Sequence, residues 1–190
     1  TPMMIADENI RGLLFRPTGG GAASWTGAAH DPETGILYVP SINRSGVMSF
    51  YSPQDGTLRY THGAPETQRL ASGADQNTPR MPMGLPLLKP PYSRMTAIDM
   101  NTGEHVWMVP NGDGPRDNPA IAHLELGQLG SPGRPPPLLT KSLLFIGEGL
   151  TNQRPGGRIP IDMPVEIATN SGGTTFRAYN KQTGEIEWEF

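Results

Sequence analysis

Residues 97–107 read AIDMNTGEHVW, and residues 178–188 repeat the same pattern as AYNKQTGEIEW. In both copies an Ala lies two positions before an Asp or Asn, a Thr-Gly-Glu turn follows, and a Trp comes four residues after the Gly. This is the turn chemistry of a β-hairpin at a fixed register. The chain is therefore built from repeats, and each repeat contains a two-stranded hairpin.

Each position that the two copies share has a physical role. A short Asp or Asn side chain accepts hydrogen bonds from backbone N–H groups of the turn, the Gly supplies a positive φ, and the Trp points from the returning strand into a packed layer. The two Trp residues could also be platforms for sugar stacking, but their recurrence at one register favours structural docking. The predicted structural docking motif consists of Asp99, Gly103, Trp107, Asn180, Gly184 and Trp188.

A third, degraded copy lies upstream, within residues 49–60, SFYSPQDGTLRY. Aligning Gly56 with Gly103 and Gly184 places the copies 47 and 81 residues apart. Four-stranded propeller blades recur about every 40 to 50 residues, so the longer gap is predicted to contain an insertion. The fold class predicted from this spacing is an all-β propeller of four-stranded antiparallel blades.

The composition supports short strands joined by irregular connections. Of 190 residues, 24 are Gly and 21 are Pro, and only 35% are hydrophobic, which excludes a helical bundle. A formal net charge of −3 without blocks of like charge gives no basis for a nucleic-acid partner. No apolar run approaches the roughly 20 residues that span a bilayer. The absence of cysteine excludes disulfides and thiolate metal sites.

Residues 1–190 are predicted to form a single partial β-propeller domain. The turn signals recur about every 11 residues, as expected for one antiparallel blade, between strands predicted at 25–30, 36–41, 47–52 and 57–61. Long loop insertions are predicted at about 62–92, 110–137 and 148–172, where Gly and Pro interrupt any periodicity.

The second half of the chain is predicted to hold incomplete blades. Residues 95–99 and 105–109 form the hairpin of a second blade, residues 138–147 form one fully buried strand, and a last hairpin covers 174–180 and 186–190. This gives about one complete blade and parts of two or three others. Since the smallest closed rings have about four blades, the sequence is expected to be a fragment of a longer chain.

Other polar residues have no recognisable site pattern. The histidines lack metal-ligand spacing and are predicted at surface or turn positions. Lys89 and Arg134 are interpreted as solvated loop charges, and Glu148 and Asp162 form no carboxylate pair. The glycines at 156–157 and 172–173 lack the strand-to-helix context of a phosphate loop. Those at 19–21 favour a bulge or tight turn over a ligand cradle.

Taken with its flanking segments, the repeated motif resembles the tryptophan-docking motif of the eight-bladed quinoprotein dehydrogenases. Residues 21–32, GAASWTGAAHDP, are similar to the Gly-rich, Trp-containing strand and Asp-Pro turn of these enzymes. Residues 84–92, GLPLLKPPY, and 176–180, FRAYN, resemble the membrane-bound glucose dehydrogenase branch. The resemblance covers residues from about 10 to 190, and it matches the C-terminal part of the propeller.

This resemblance implies a chemistry. Such enzymes hold pyrroloquinoline quinone (PQQ) beside a calcium ion and oxidise a sugar or an alcohol by hydride transfer to the quinone. The metal ligands and the catalytic Asp come from earlier blades, so no catalytic residue and no metal ligand is expected in this chain, which alone should be inactive. The candidate cofactor-binding residues are Trp25 and Ser24, where Ser replaces an amide common in the family. A buried blade anchor is the alternative role of Trp25.

The resemblance also implies partners and a location. A sugar or alcohol is the substrate, a membrane quinone or a cytochrome accepts the electrons, and the rest of the propeller completes the site. The location is the bacterial periplasm, with membrane association through an N-terminal region outside this chain. Two alternatives stay open: a noncatalytic propeller that serves as a scaffold for protein binding or envelope assembly, and a stand-alone β-protein that closes by self-association.

Overall fold

A computed structural model of the chain describes residues 13–17, 22–23, 26–51, 61–63, 81–131, 133, 135–148, 173 and 175–190, with the backbone alone at 47–49, 51 and 61–63. In these residues the regular elements are eleven β-strands and two short 3-10 helices. Neither helix is long and apolar enough to cross a membrane. The all-β prediction is confirmed.

The strands follow one another along the chain as β1 (Leu13–Phe15), β2 (Ala29–Asp31), β3 (Ile36–Ile42), β4 (Gly46–Tyr51), β5 (Thr61–Gly63), β6 (Ser93–Asp99), β7 (His105–Pro110), β8 (Leu138–Leu139), β9 (Leu143–Gly147), β10 (Phe176–Asn180) and β11 (Ile186–Glu189). The 3-10 helices cover Pro82–Gly84 and Ala122–Leu124.

These strands form three antiparallel sheets. The first blade has the order β2-β3-β6-β7, and the second blade has the order β8-β9-β10-β11. A separate three-stranded sheet has the order β1-β4-β5. The described residues thus contain two four-stranded blades, whereas the sequence predicted about one complete blade and parts of two or three others.

The predicted meander of four strands in one blade is wrong. β2 and β3 pair as expected, but β4 pairs with β1 and β5 in the separate sheet. Instead, β3 pairs with β6 over seven residues, from Ile36 opposite Asp99 to Ile42 opposite Ser93. Turn signals mark where strands end, but they do not determine which strand pairs with which. Residues 52–60, which hold most of the third motif copy, lie outside the described residues.

A second correction concerns residues 138–147, which were predicted as one buried strand. They form a hairpin of β8 and β9, and Thr140 organises its turn, because its hydroxyl donates to the Leu143 carbonyl and accepts from the Leu143 N–H. Burial alternates along β9, with Leu144 and Ile146 buried. Every second residue of this apolar run is therefore buried and the residues between are only partly buried, which is the alternation expected of a β-strand.

The hydrophobic core lies between the two blades. Cross-strand pairing puts Tyr38 opposite Ala97 and Ala97 opposite Trp107, so these side chains share one face of the first blade. The core combines this face with the facing surface of the second blade, and its fully buried members are Tyr38, Met95, Ala97, Leu144, Ile146 and Tyr179. Strands β2 and β8 also contact each other. Each blade is thus stabilised mainly by its neighbour.

Candidate functional site

The turn of the first motif is fixed by Asp99. Its Oδ1 accepts a hydrogen bond from the Asn101 N–H at 2.7 Å, and its backbone carbonyl accepts from the Gly103 N–H at 2.7 Å. Gly103 has a φ of 78°, a conformation that L-residues rarely adopt. A register shift follows Ala97, directly before the turn.

The second motif repeats this geometry. Asn180 Oδ1 accepts from the Gln182 N–H at 2.9 Å, its carbonyl accepts from the Gly184 N–H at 2.9 Å, and Gly184 has a φ of 76°. The register shift recurs after Ala178. The two copies therefore share one local structure, with an Asp in one and an Asn in the other.

Trp107 joins the two blades. Its indole N–H donates to the Lys181 carbonyl at 3.1 Å, and its ring covers Gly184 so closely that a Cβ there would lie 2.8 Å from two ring carbons. Tyr38 supports the contact from the first blade, with its ring centroid 5.8 Å from that of Trp107 and its hydroxyl donating to the same Lys181 carbonyl at 3.0 Å. The Trp of one motif thus packs on the turn of the next motif.

A buried ion pair completes this end of the junction. Lys181 Nζ lies 2.6 Å from Asp31 Oδ2, and both side chains are buried. The ammonium hydrogen bond is the main reason why the pKa of Asp31 falls from 3.8 to about 2; burial opposes the shift, and the Thr34 hydroxyl and the Glu33 N–H add to it. Lys181, on the turn of the second blade, is therefore held against the first blade by both its side chain and its carbonyl.

At the opposite end of the strands, Asn111 bridges the blades. The Tyr179 hydroxyl donates to Asn111 Oδ1 at 3.1 Å, and Asn111 Nδ2 donates to the Gly147 carbonyl at 3.0 Å. Burial raises the pKa of Tyr179 to about 12, so this hydroxyl remains a donor at physiological pH.

Beside this bridge lies the most buried charge cluster of the described residues. Arg177, whose side chain is 1% exposed, pairs with Glu148 in the interior and with the more exposed Asp113 and Glu189 at 3.6 and 3.1 Å. Ser131 donates to the second Glu148 oxygen at 2.7 Å. The sequence indicated no carboxylate pair for Glu148 and gave no sign of its partner, which in the structure is a cation 29 residues away.

The residues predicted to contact the cofactor cannot be placed. Ser24 and Trp25 lie outside the described residues, and so does Arg134. Of the other positions singled out, Lys89, His30, His105 and His123 are exposed, which agrees with the predicted surface positions. Trp188 is 50% exposed, in contrast to Trp107 at the same register.

The polar residues at the junction between the blades stabilise the contact and offer no reactive group. Its two buried carboxylates, Asp31 and Glu148, are each neutralised by a buried cation, Lys181 and Arg177, so neither is poised as a general base. Within the part of the chain that the structure describes, no group of three His, Cys, Asp or Glu residues could hold a metal ion. The sequence gave no indication that Asn111, Lys181 or Arg177 is important. The one available signal was at Lys181, because the first motif copy has Met100 at the same position.

Comparison with known families gives a match over the full chain. The family model described as PQQ, glucose/ethanol/alcohol dehydrogenase, beta-propeller domain, covers residues 1–190. No curated protein matches the chain.

Two solved structures are similar in outline. One is the quinohemoprotein alcohol dehydrogenase ADHIIG from Pseudomonas putida HK5, with 16% identity, a TM-score of 0.47 and coverage of 100% of this chain and 24% of that one. The other is a europium-containing methanol dehydrogenase, with 15% identity, a TM-score of 0.43 and coverage of 98% and 26%. The chain thus spans about a quarter of the length of each.

Proposed function

Because the chain belongs to the family of PQQ-dependent glucose, ethanol and alcohol dehydrogenase propeller domains, we propose that it forms part of such an enzyme. The enzyme oxidises a sugar or an alcohol, and PQQ supplies the hydride acceptor when it is bound. The observation that carries the proposal is the family match over residues 1–190. The two adjoining blades with Trp107 packed on the next turn are consistent with it.

The role of this chain in that enzyme is scaffold and one wall of the cofactor pocket. The described residues do not fit a complete PQQ or calcium site, because their buried carboxylates are already paired with buried cations and they contain no cluster of three His, Cys, Asp or Glu residues that could hold a metal ion. We place the calcium ligands and the catalytic base in other parts of the propeller. From this chain, Ser24 and Trp25 are the candidates for contact with the quinone.

The preferred substrate is a glucose-like sugar, and an alcohol is the alternative. What supports the sugar is the resemblance of residues 84–92 and 176–180 to the membrane-bound glucose dehydrogenase branch. The family description includes both substrate classes. We also propose a periplasmic location, and a membrane quinone or a cytochrome as the electron acceptor, because the resemblance to this branch implies both.

The test is an assay of the protein as the cell makes it, supplied with PQQ and calcium and followed by dye reduction with glucose and, separately, with ethanol. We expect PQQ-dependent dye reduction that is faster with glucose. Retention of PQQ after dialysis is measured in parallel, and Trp25→Ala should lower it while His105→Ala, an exposed position, should not. If neither substrate reduces the dye and no PQQ is retained, the proposal is wrong.

A further inference from the structure

The long connections of the two blades leave from one end of the strands. Residues 111–137 and 148–175 begin where β7 and β9 end, whereas the turns at the opposite end are short and cover residues 32–35, 100–104, 140–142 and 181–185. The Ile42 N–H, at the long-loop end of β3, donates to the Ala22 carbonyl at 2.9 Å, so the chain reaches this end two residues before Ser24. Since binding residues are common on loops that a rigid scaffold positions, we expect the substrate side of the proposed enzyme here.

Residues 111–131 form a closed loop at this end, which we call the anchored loop. Its two ends lie side by side, because three N–H groups of residues 129–131 donate to the carbonyls of residues 111–113 at 2.8 to 3.1 Å. The base of the loop is also tied to the first blade. There the Asn111 N–H donates to the Ser93 carbonyl at 3.1 Å, and the Tyr92 N–H donates to the Leu129 carbonyl at 2.7 Å. Backbone hydrogen bonds thus fix the base of the loop.

A buried carboxylate ties the base of the anchored loop to the second blade. Glu148 accepts a hydrogen bond from the Ser131 hydroxyl at 2.7 Å and pairs through its other oxygen with Arg177, and all three residues are buried. The Ser131 hydroxyl in turn accepts from the Gly114 N–H at 3.1 Å. A Cβ on Gly112 would lie 2.9 Å from the Glu148 carboxyl carbon, so the loop backbone packs directly on this group. Hydrogen bonds to charged groups are the stronger ones, and this one fixes the loop relative to the second blade.

The anchor gives one carboxylate of the loop a defined position. Asp113 lies 3.6 Å from Arg177 through Oδ1 and 3.5 Å from Arg116 through Oδ2, and its side chain is partly exposed. Both distances are longer than the roughly 2.7–2.9 Å of a direct charge-assisted hydrogen bond, so neither cation fully occupies the lone pairs of this carboxylate. Asp113 can therefore accept hydrogen bonds from hydroxyl groups beside it. A sugar offers several hydroxyls close together, whereas ethanol offers one.

We propose that Ser131, Glu148 and Arg177 position the anchored loop so that Asp113 accepts hydrogen bonds from the hydroxyl groups of a sugar substrate. Asp113 is the binding residue, and the three buried residues are positioning residues that act through it. This inference rests on the proposed function and makes it more specific, since it names a side chain that favours a sugar over an alcohol. The contact holds the substrate equally in the ground state and the transition state, so its loss should raise KM more than it lowers kcat.

The first test compares Asp113→Ala with Asp117→Ala in the protein as the cell makes it, by dye reduction with glucose and with ethanol. Asp117 lies on the same loop with a side chain that is 95% exposed, so it is the matched control. We expect Asp113→Ala to raise the KM for glucose about 10-fold to 100-fold, the range for a lost hydrogen bond to a charged group. The KM for ethanol should stay unchanged, and Asp117→Ala should change neither value.

The second test follows the anchor without reference to activity. Hydrogen–deuterium exchange of the backbone amides of residues 129–131 reports the opening of the loop base. Ser131→Ala removes the hydroxyl that joins this base to Glu148, so these amides should exchange about 10-fold faster or more, and the KM for glucose should rise. Asp113→Ala should leave the exchange as in the wild type. Thr140→Ala, which removes a turn hydroxyl at the other end of the second blade, should alter neither quantity.

The outcomes separate this inference from the function on which it rests. Oxidation of neither substrate by the wild type refutes the proposed function and the sugar contact with it. If the wild type oxidises glucose, the inference alone is overturned by an unchanged KM in Asp113→Ala, by an equal rise in Asp117→Ala, or by unchanged amide exchange in Ser131→Ala. Oxidation of ethanol alone also overturns it. Should Ser131→Ala fail to fold, Glu148→Gln supplies the same comparison, because it keeps an acceptor for Ser131 but removes the charge paired with Arg177.

Discussion

Replacing Trp107 by Ala tests whether the junction between the blades stabilises the fold. Removing a fully buried Trp or Phe side chain costs about 3–5 kcal/mol. Since Trp107 is partly buried, we expect a loss of about 2–3 kcal/mol in the free energy of unfolding. For a chain of this length that corresponds to a decrease in Tm of about 4–12 °C. Urea unfolding followed by circular dichroism measures the loss.

Two further variants separate the contributions. Trp107→Phe keeps an aromatic ring over Gly184 but removes the indole N–H, so it should cost about 1 kcal/mol, the usual net value of one hydrogen bond; the Lys181 carbonyl keeps the Tyr38 hydroxyl as donor. Trp188→Ala is the matched control at the same register, because its ring is half-exposed within one chain. Measured at low protein concentration, it should change stability by less than Trp107→Ala. Equal losses for the two Ala variants would refute the interpretation.

Two other predictions concern the same junction. Gly184→Ala should destabilise the chain by about 1–3 kcal/mol more than Gly103→Ala, since both residues have a positive φ but only at Gly184 does a Cβ meet the Trp107 ring; equal urea midpoints for the two variants would contradict this. Lys181→Met should lower stability at neutral pH and reduce its acid dependence. Because the pKa of Asp31 is about 2 in the folded chain against a usual 3.8, the pair stabilises the fold above pH 3.8 and this contribution is lost as the pH falls through 2. Unfolding midpoints that decline equally in both proteins between these pH values would exclude it.

The features that could be predicted from the sequence are those set by neighbouring residues. The turn of the first motif depends on Asp99 and Gly103, which lie four positions apart, and the residue types alone determine its hydrogen bonds and its positive φ. The all-β class also follows from local signals, since Gly and Pro interrupt every longer run.

The partners of these elements could not be predicted, because they depend on residues distant in sequence. Every residue pair between β3 and β6 is more than 50 positions apart in the sequence, although β4 follows β3 directly. Lys181 meets Asp31 over a separation of 150 positions. A charged residue such as Lys181 is expected to be exposed to solvent when its partner is unknown. Only the folded chain shows that Lys181 is buried against Asp31.

The position of the core explains why the two motif Trp residues differ. The buried hydrophobic cluster of the described residues lies between the blades, so one blade gains its stability from the surface of the next, as in other repeat architectures. Trp107 makes this contact, with the second blade packed on it. Trp188 occupies the same register but is half-exposed among the described residues, so it should contribute less to the free energy of unfolding. The difference between the two Ala variants therefore measures what a blade packed against the motif Trp contributes.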